Sequence, residues 1–387
     1  MKVNSIIFRR TVVTISILFF GNTSYSQSTE QLQKRQIDSV VQKIMTENSI
    51  VGLSIGIVKD DKIFYNKGYG TKEVNTNSPI DSLTNFLTCS ISKLFTATAI
   101  MQLVEQGKID INKKLIDYVP DFEMKDERYK DITIEQMLTH TSGLPNIFNK
   151  NYINPKNEST ELTEFAQKLK KEKLSYTPNV TLNEKTYSNT GYNILGLVIE
   201  RVTGQIFSDY VTTNVLHKVG MDSSSFNYSK IFAQRRSKPH KKHCLTKKII
   251  VSNYYPDIPQ DKPCGNLNSC TNDLCKWMLE NLSIYNAINK EKGVLERKTL
   301  VDMWTTKREI PTFTTSIGLG WWIVESEKYG KYVFHVGNDP GYSATLIISP
   351  KNNFGIVVLC NSLYPKNVVW NKIPFEIINQ FKDEWKK

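Results

Sequence analysis

Strand-like runs stand at the two ends of this chain while helical periodicity fills its middle, and that distribution constrains the fold more than any motif does. "VGLSIGIVKDDKIFYNKGYG", from Val51 to Gly70, gives two β-rich runs around "KDDK", which predicts a hairpin. Beyond residue 317, "GLGWWIVE", "YVFHVG", "SATLIISP" and "FGIVVLCN" are short alternating or apolar runs separated by Gly, Pro and Asn. Between these ends, apolar residues recur at helical spacing in Ser90–Gln106, Thr133–Thr139, Ser159–Lys171, Asn189–Val202, Phe207–Val215 and Asn272–Asn281. A doubly wound parallel sheet needs strand and helix to alternate throughout, so it is excluded. The expectation is an α+β fold: one antiparallel sheet built from both termini and flanked by helices, with an inserted, mostly α-helical lobe. Residues 29–48 carry Leu32, Ile37, Val40, Val41, Ile44 and Met45 on one helical stripe, and "NKIPFEIINQFKDEWKK" closes the chain as a helix. The predicted organisation is one bilobal domain over 27–387. Its α/β lobe takes about 27–95 and 305–387, its helical lobe about 96–304, and a cleft between them is the default site.

The first 26 residues differ from the rest. Lys2, Arg9 and Arg10 precede the apolar run "TVVTISILFFG", and Ser24 and Ser26 then offer a small-residue cleavage site. This is the pattern of a secretory signal peptide, and about eleven apolar residues are too few to span a bilayer. Export to the periplasm or medium is expected, with no transmembrane segment after cleavage. Gln27 rather than cysteine follows the cleavage site, which argues against a lipid anchor there.

The formal charge of +12, less the three leader cations, leaves +9 on the mature chain. Eight cations from Lys230 to Lys248 fall in a stretch without acid between Asp222 and Asp257. Such a run draws an anionic surface or simply solvates a loop; nucleic acid is not expected as a partner. Six cysteines in 387 residues do not make a disulfide scaffold. Cys264, Cys270 and Cys275 crowd together with His243 and Cys244 upstream, but their spacings miss the short pairs of zinc sites, so buried thiols are expected and no metal or organic cofactor.

Ser90 and Lys93, three apart where a helical pattern begins, bring hydroxyl and amine to one face of the first turn. A serine hydroxyl is a weak nucleophile until a base takes its proton. Serine also caps helices, so the pair alone decides nothing. Tyr187 and Asn189, two apart, project to one side of an extended segment, and Tyr152–Asn154 repeats the spacing. His335 and Gly337 end a strand where a missing side chain lets substrate backbone approach. Lys218–Gly220 and Lys328–Gly330 are competing cation-x-Gly pairs.

In combination, "SISK", "YSN" and "HVG" resemble the three-part signature of the serine β-lactamase and penicillin-binding-protein superfamily. "ITIEQMLTHTSGLP" (Ile132–Pro145), "YSNTGYNILGLVIERVTG" (Tyr187–Gly204), "PCGNLNSCTNDLCKWM" (Pro263–Met278), "GLGWW" (Gly318–Trp322) and "HVGNDPGYS" (His335–Ser343) narrow the likeness. They are similar to the branch holding class C β-lactamases, D-alanyl-D-alanine carboxypeptidases and related esterases, in its order, over about Gly52 to Asn361. The resemblance selects Tyr187 over Tyr152 and His335 over the lysine competitors. It implies Ser90 as the acylated nucleophile, Lys93 and Tyr187 sharing base and proton-relay duty, and Asn189 as a substrate ligand. It also implies His335 and Gly337 at the substrate edge, and the N–H groups of Ser90 and Asn338 as the oxyanion hole. Acyl transfer to serine and hydrolysis of a small-molecule or peptidoglycan-derived substrate follow, as a DD-peptidase or an esterase or amidase. A β-lactamase, or a non-catalytic wall-binding or penicillin-sensing relative, is the alternative. Departures from the family are Cys89 where glycine is frequent, flagged as a thiol able to narrow the pocket, Asn266 for glycine, and His335 for the lysine of β-lactamases. No Gly-x-Ser-x-Gly elbow is present, since "GYSAT" at Gly341 fails it.

Overall fold

The computed structural model describes residues 29–147, 158–252, 258–286, 293–310, 315–362 and 367–381. The leader over 1–26 and the pair Tyr152–Asn154 lie outside the described residues. The chain divides into two compact units, one holding the described residues 29–49 and 375–381 and one holding Ile50–Pro374. In the first, helix α1 covers 29–48. Ile37, Val41 and Ile44 on its stripe are buried, while Leu32 is exposed, because it sits in the opening turn.

The larger unit is built on an eight-stranded antiparallel sheet. Its strands are β1 (Gly52–Lys59), β2 (Lys62–Gly70), β3 (Arg308–Glu309), β4 (Thr315–Ile317), β5 (Trp322–Ser326), β6 (Gly330–Asp339), β7 (Tyr342–Ser349) and β8 (Phe354–Cys360). In space they run β2-β1-β8-β7-β6-β5-β4-β3, so the early hairpin pairs directly with the last strand, Leu53 opposite Cys360. The expected "KDDK" turn is a two-residue connection with φ of 51° at Asp60 and 61° at Asp61. That double left-handed geometry matches the twist of the flanking strands.

Helix α2 (Ser92–Glu105) departs from a simple amphipathic pattern: every residue from Ser92 to Met101 is buried, as expected of a helix enclosed on all sides. Phe95 packs against Trp277 with ring centroids 4.5 Å apart and the planes tilted by 34°. Helix α3 (Ile134–Leu138) opens on a reciprocal cap, Thr133 Oγ1 accepting from the Gln136 N–H and Gln136 Oε1 from the Thr133 N–H. Helix α4 (Asn189–Thr203) is capped by Ser188 and ends on Gly204, which is left-handed at φ 70°. Helix α5 (Thr271–Asn286) covers β1 and β8. It comes close because Gly56 and Gly355 face it: a Cβ on Gly56 would collide with Cys275 Sγ, and one on Gly355 would stand 2.9 Å from Met278 Sδ.

The cation-rich stretch begins with 3-10 turns at Tyr228–Lys230 and Ala233–Arg235 and continues as a small hairpin, His240–Lys242 against Ile249–Val251, with Leu245 exposed at its tip. Its base is fixed by His240, which is buried and engages the Asn361 carbonyl at Nδ1 and the Val74 N–H at Nε2. Cys89, Cys264, Cys270, Cys275 and Cys360 are buried free thiols, while Cys244 is exposed.

Candidate active site

Ser90 does not cap a helix. It lies within a 3-10 turn, Cys89–Ile91, that feeds α2, whose N-cap is Ile91. The turn is anchored from beneath: Thr88 donates from its N–H and its hydroxyl to the Leu267 carbonyl at 2.8 and 3.0 Å. Ser92 Oγ donates to the Cys89 carbonyl at 2.6 Å and accepts from the Leu267 N–H at 2.9 Å. Cys89 takes a left-handed φ of 52°, a region that costs a side-chain-bearing residue strain. An exposed thiol here could narrow the pocket, but Cys89 is fully buried, in line with the expectation of buried thiols. Burial, then Asp339, pushes the thiol well above its ordinary value, so it is held protonated.

Lys93, one turn further on, is fully buried. Its Nζ donates to Ser90 Oγ at 3.1 Å, to Asn189 Oδ1 at 2.7 Å and to the Cys264 carbonyl at 2.6 Å. The rings of Tyr187 and Tyr192 flank it at 5.0 and 5.5 Å. The extended residue Ser188 separates Tyr187 from Asn189, which begins α4. Packing of α2 against α4 therefore brings the two motifs together.

β6 supplies the third side. Its pairing with β5 stops at Phe334 opposite Trp322, whereas its pairing with β7 continues to Asp339 opposite Tyr342. From His335 to Asp339 one edge thus has no partner strand among the described residues. Gly337 is required where β6 crosses the nucleophile turn, since a Cβ there would stand 2.5 Å from the Thr88 carbonyl oxygen, 2.8 Å from Cys89 Cβ and 2.9 Å from the Ser90 nitrogen. His335 is buried, with Nδ1 2.8 Å from the Val336 carbonyl. Burial, then the Lys93 charge, lowers its pKa to about 3, so the imidazole is neutral at physiological pH.

Ser90, Tyr187, Asn189, His335 and Asn338 line one cavity of about 470 Å³. Ile310, Trp322, Phe334, Val336 and Trp370 form its apolar wall, and Asn183 and Glu184 complete the lining. The seven sequence candidates therefore converge, with Lys93 and Gly337 behind this surface. The competitors stay out: Lys218 lines a separate cavity with Gln102 and Glu280, and Lys328–Gly330 forms the turn between β5 and β6.

Sequence reasoning missed several participants. Trp370 donates from Nε1 to the Gly337 carbonyl at 3.0 Å, and no local pattern in "NVVWNK" announces this. Asp261 accepts from Asn193 Nδ2 at 2.9 Å, and burial pushes its carboxyl up to about 6. Burial, reinforced by Asp261, pushes Asp339 up to about 7. Asp339 stood in the quoted "HVGNDPGYS", two residues beyond Gly337, and that placement was the available signal. His140 and Asn146, beside Tyr187, were also passed over.

The beta-lactamase family profile matches residues 37–372. Protein flp of Staphylococcus aureus (strain COL) is 29% identical over 331 residues, covering 85% of this chain and 63% of that protein, so the chain spans less than two thirds of that relative's length. The octameric penicillin-binding protein homologue from Pyrococcus abyssi superposes with a TM-score of 0.73 at 23% identity, over 88% of this chain and 77% of that one. A beta-lactamase/D-alanine carboxypeptidase from Pseudomonas syringae gives 0.73 at 19% identity, over 90% and 99%. At these identities the two structures establish the shared fold.

Proposed function

We propose, from the premise that this chain belongs to the beta-lactamase family, that it is a serine hydrolase working through an acyl-enzyme on Ser90. The observation that carries this reading is the Ser90 Oγ to Lys93 Nζ contact of 3.1 Å at a cavity also lined by Tyr187 and Asn189. In the proposed cycle, the Lys93–Tyr187 pair begins one proton short of an ammonium beside a phenol, and Ser90 Oγ attacks the substrate carbonyl carbon while its proton passes to that pair. Negative charge on the carbonyl oxygen is met by the N–H groups of Ser90 and Asn338. The leaving group departs with a proton returned through Tyr187. Water then gives its proton to the same pair as it attacks the acyl carbon; the acyl C–O bond to Ser90 breaks, and the pair passes that proton to Ser90 Oγ, releasing the acid product and restoring the hydroxyl.

Two features favour an ester or amide with an apolar acyl group. Trp322, Phe334, Ile310 and Trp370 offer it apolar surface. The neutral His335 provides no cation for the carboxylate beside a β-lactam or a terminal D-amino acid. An esterase or amidase is therefore favoured over a DD-peptidase, and both over a β-lactamase. The leader-like residues 1–26 extend the proposal to an exported chain beginning at Gln27.

Intact-protein mass tests the whole reading, using wild type and Ser90→Ala with a short-chain p-nitrophenyl ester, a penicillin and nitrocefin. Ester turnover dependent on Ser90 with little nitrocefin hydrolysis is expected, on a chain whose mass begins at Gln27. Full ester turnover by Ser90→Ala would refute the acyl-serine mechanism, and nitrocefin turnover matching the ester would reverse the substrate ranking.

A further inference from the structure

Three consecutive residues at the start of α4 are gripped by the loop that follows α3. Asn146 donates from Nδ2 to the Tyr187 carbonyl at 2.7 Å and accepts at Oδ1 from the Asn189 N–H at 2.7 Å. Between these bonds, the Ser188 N–H donates to His140 Nδ1 at 3.2 Å. His140 is buried, and its ring centroid lies 4.2 Å from that of Tyr187. Its backbone is left-handed at φ 58°, and its Nε2 is buried without a hydrogen-bond partner among the described residues. Burial, then the charge of Lys93, holds the imidazole neutral. With its proton on Nε2, Nδ1 is left as an acceptor.

A strained backbone and an unpaired buried nitrogen both oppose folding. Their placement against Tyr187 points to what they provide. We propose that His140 is a positioning residue for the acylation site, with Asn146 as its outer partner. Through the Ser188 N–H it fixes Tyr187 and Asn189 against Lys93. Asn189 Oδ1 takes one proton of Lys93 Nζ and the Tyr187 ring lies 5.0 Å from the same atom. A slip of the Tyr187–Asn189 segment therefore disturbs both at once, and displacements near 1 Å cost about a hundredfold in rate. The inference rests on the acyl-serine reading above.

The test compares p-nitrophenyl ester kinetics in wild type, His140→Asn, His140→Phe and Asn146→Leu, with Ser90→Ala alongside. Asparagine keeps an acceptor near the Nδ1 position and tolerates left-handed φ, whereas phenylalanine keeps the ring face and offers no acceptor. We expect His140→Asn to stay within about threefold of wild-type kcat and His140→Phe to lose at least about tenfold, mostly in kcat. Asn146→Leu, a surface change, should fall in the same direction at an unchanged Tm. Wild-type kcat in His140→Phe would overturn the proposal, as would equal losses in His140→Asn and His140→Phe. If His140→Phe does not fold, wild-type kcat in Asn146→Leu overturns it. Full turnover by Ser90→Ala would mark failure of the acyl-serine reading instead.

Discussion

Gly337→Ala isolates one contact on which the site depends. The added methyl would stand 2.5 Å from the Thr88 carbonyl oxygen, where ordinary contact begins at 3.4 Å, so strand β6 or the Ser90 turn must give way by about 0.9 Å. The turn resists, because Thr88 is tied to the Leu267 carbonyl by two bonds of 2.8 and 3.0 Å. Overpacking of this kind costs roughly 1–3 kcal/mol of stability. The rate should suffer more: the Ser90 nitrogen is 2.9 Å from the same methyl position. Its N–H and the strand edge would therefore separate, and a shift near 1 Å costs about a hundredfold. Thermal unfolding and the rate of mass-detected acylation read the two effects separately. A variant acylating within about twofold of wild type, at an unchanged Tm, would refute both the crossing geometry and the role given to this edge.

Lys93→Ala should lower acylation by at least about a thousandfold while near-ultraviolet circular dichroism stays native, and near-normal acylation would remove Lys93 from the mechanism. Asp339→Asn should stabilise the protein in alkaline solution. The carboxyl is raised from 3.8 to about 7 in the fold, so between these pH values the folded chain keeps a proton that the unfolded chain has lost. Stability then falls as pH rises through that window, with the full penalty above pH 7. The variant escapes this: its gain should be a few kcal/mol, of order 4 at most, at pH 8 and vanish near pH 4. A Tm difference independent of pH would contradict it.

The sequence determined those features whose cause is local. Strand alternation, the two-aspartate turn at Asp60–Asp61 and the Thr133–Gln136 cap each depend on a few consecutive residues. So does the Ser90–Lys93 spacing, because three residues along a helical turn reach one face whatever surrounds them. Order along the chain also pointed to one sheet built from both termini, while the choice of β1 as the strand that meets β8 was made by the fold. Tertiary structure decided the rest. Lys93 meets acceptors 96 and 171 residues away in sequence, and those encounters arise from packing whole helices. Burial made His335 neutral, sealed the Cys89 thiol and raised Asp339. The charge a side chain carries depends on the water and charges around it, and those are supplied by distant segments that no local pattern encodes. His140 and Trp370 were silent in sequence for the same reason: each acts on a backbone group of another segment, and only the fold brings the two together.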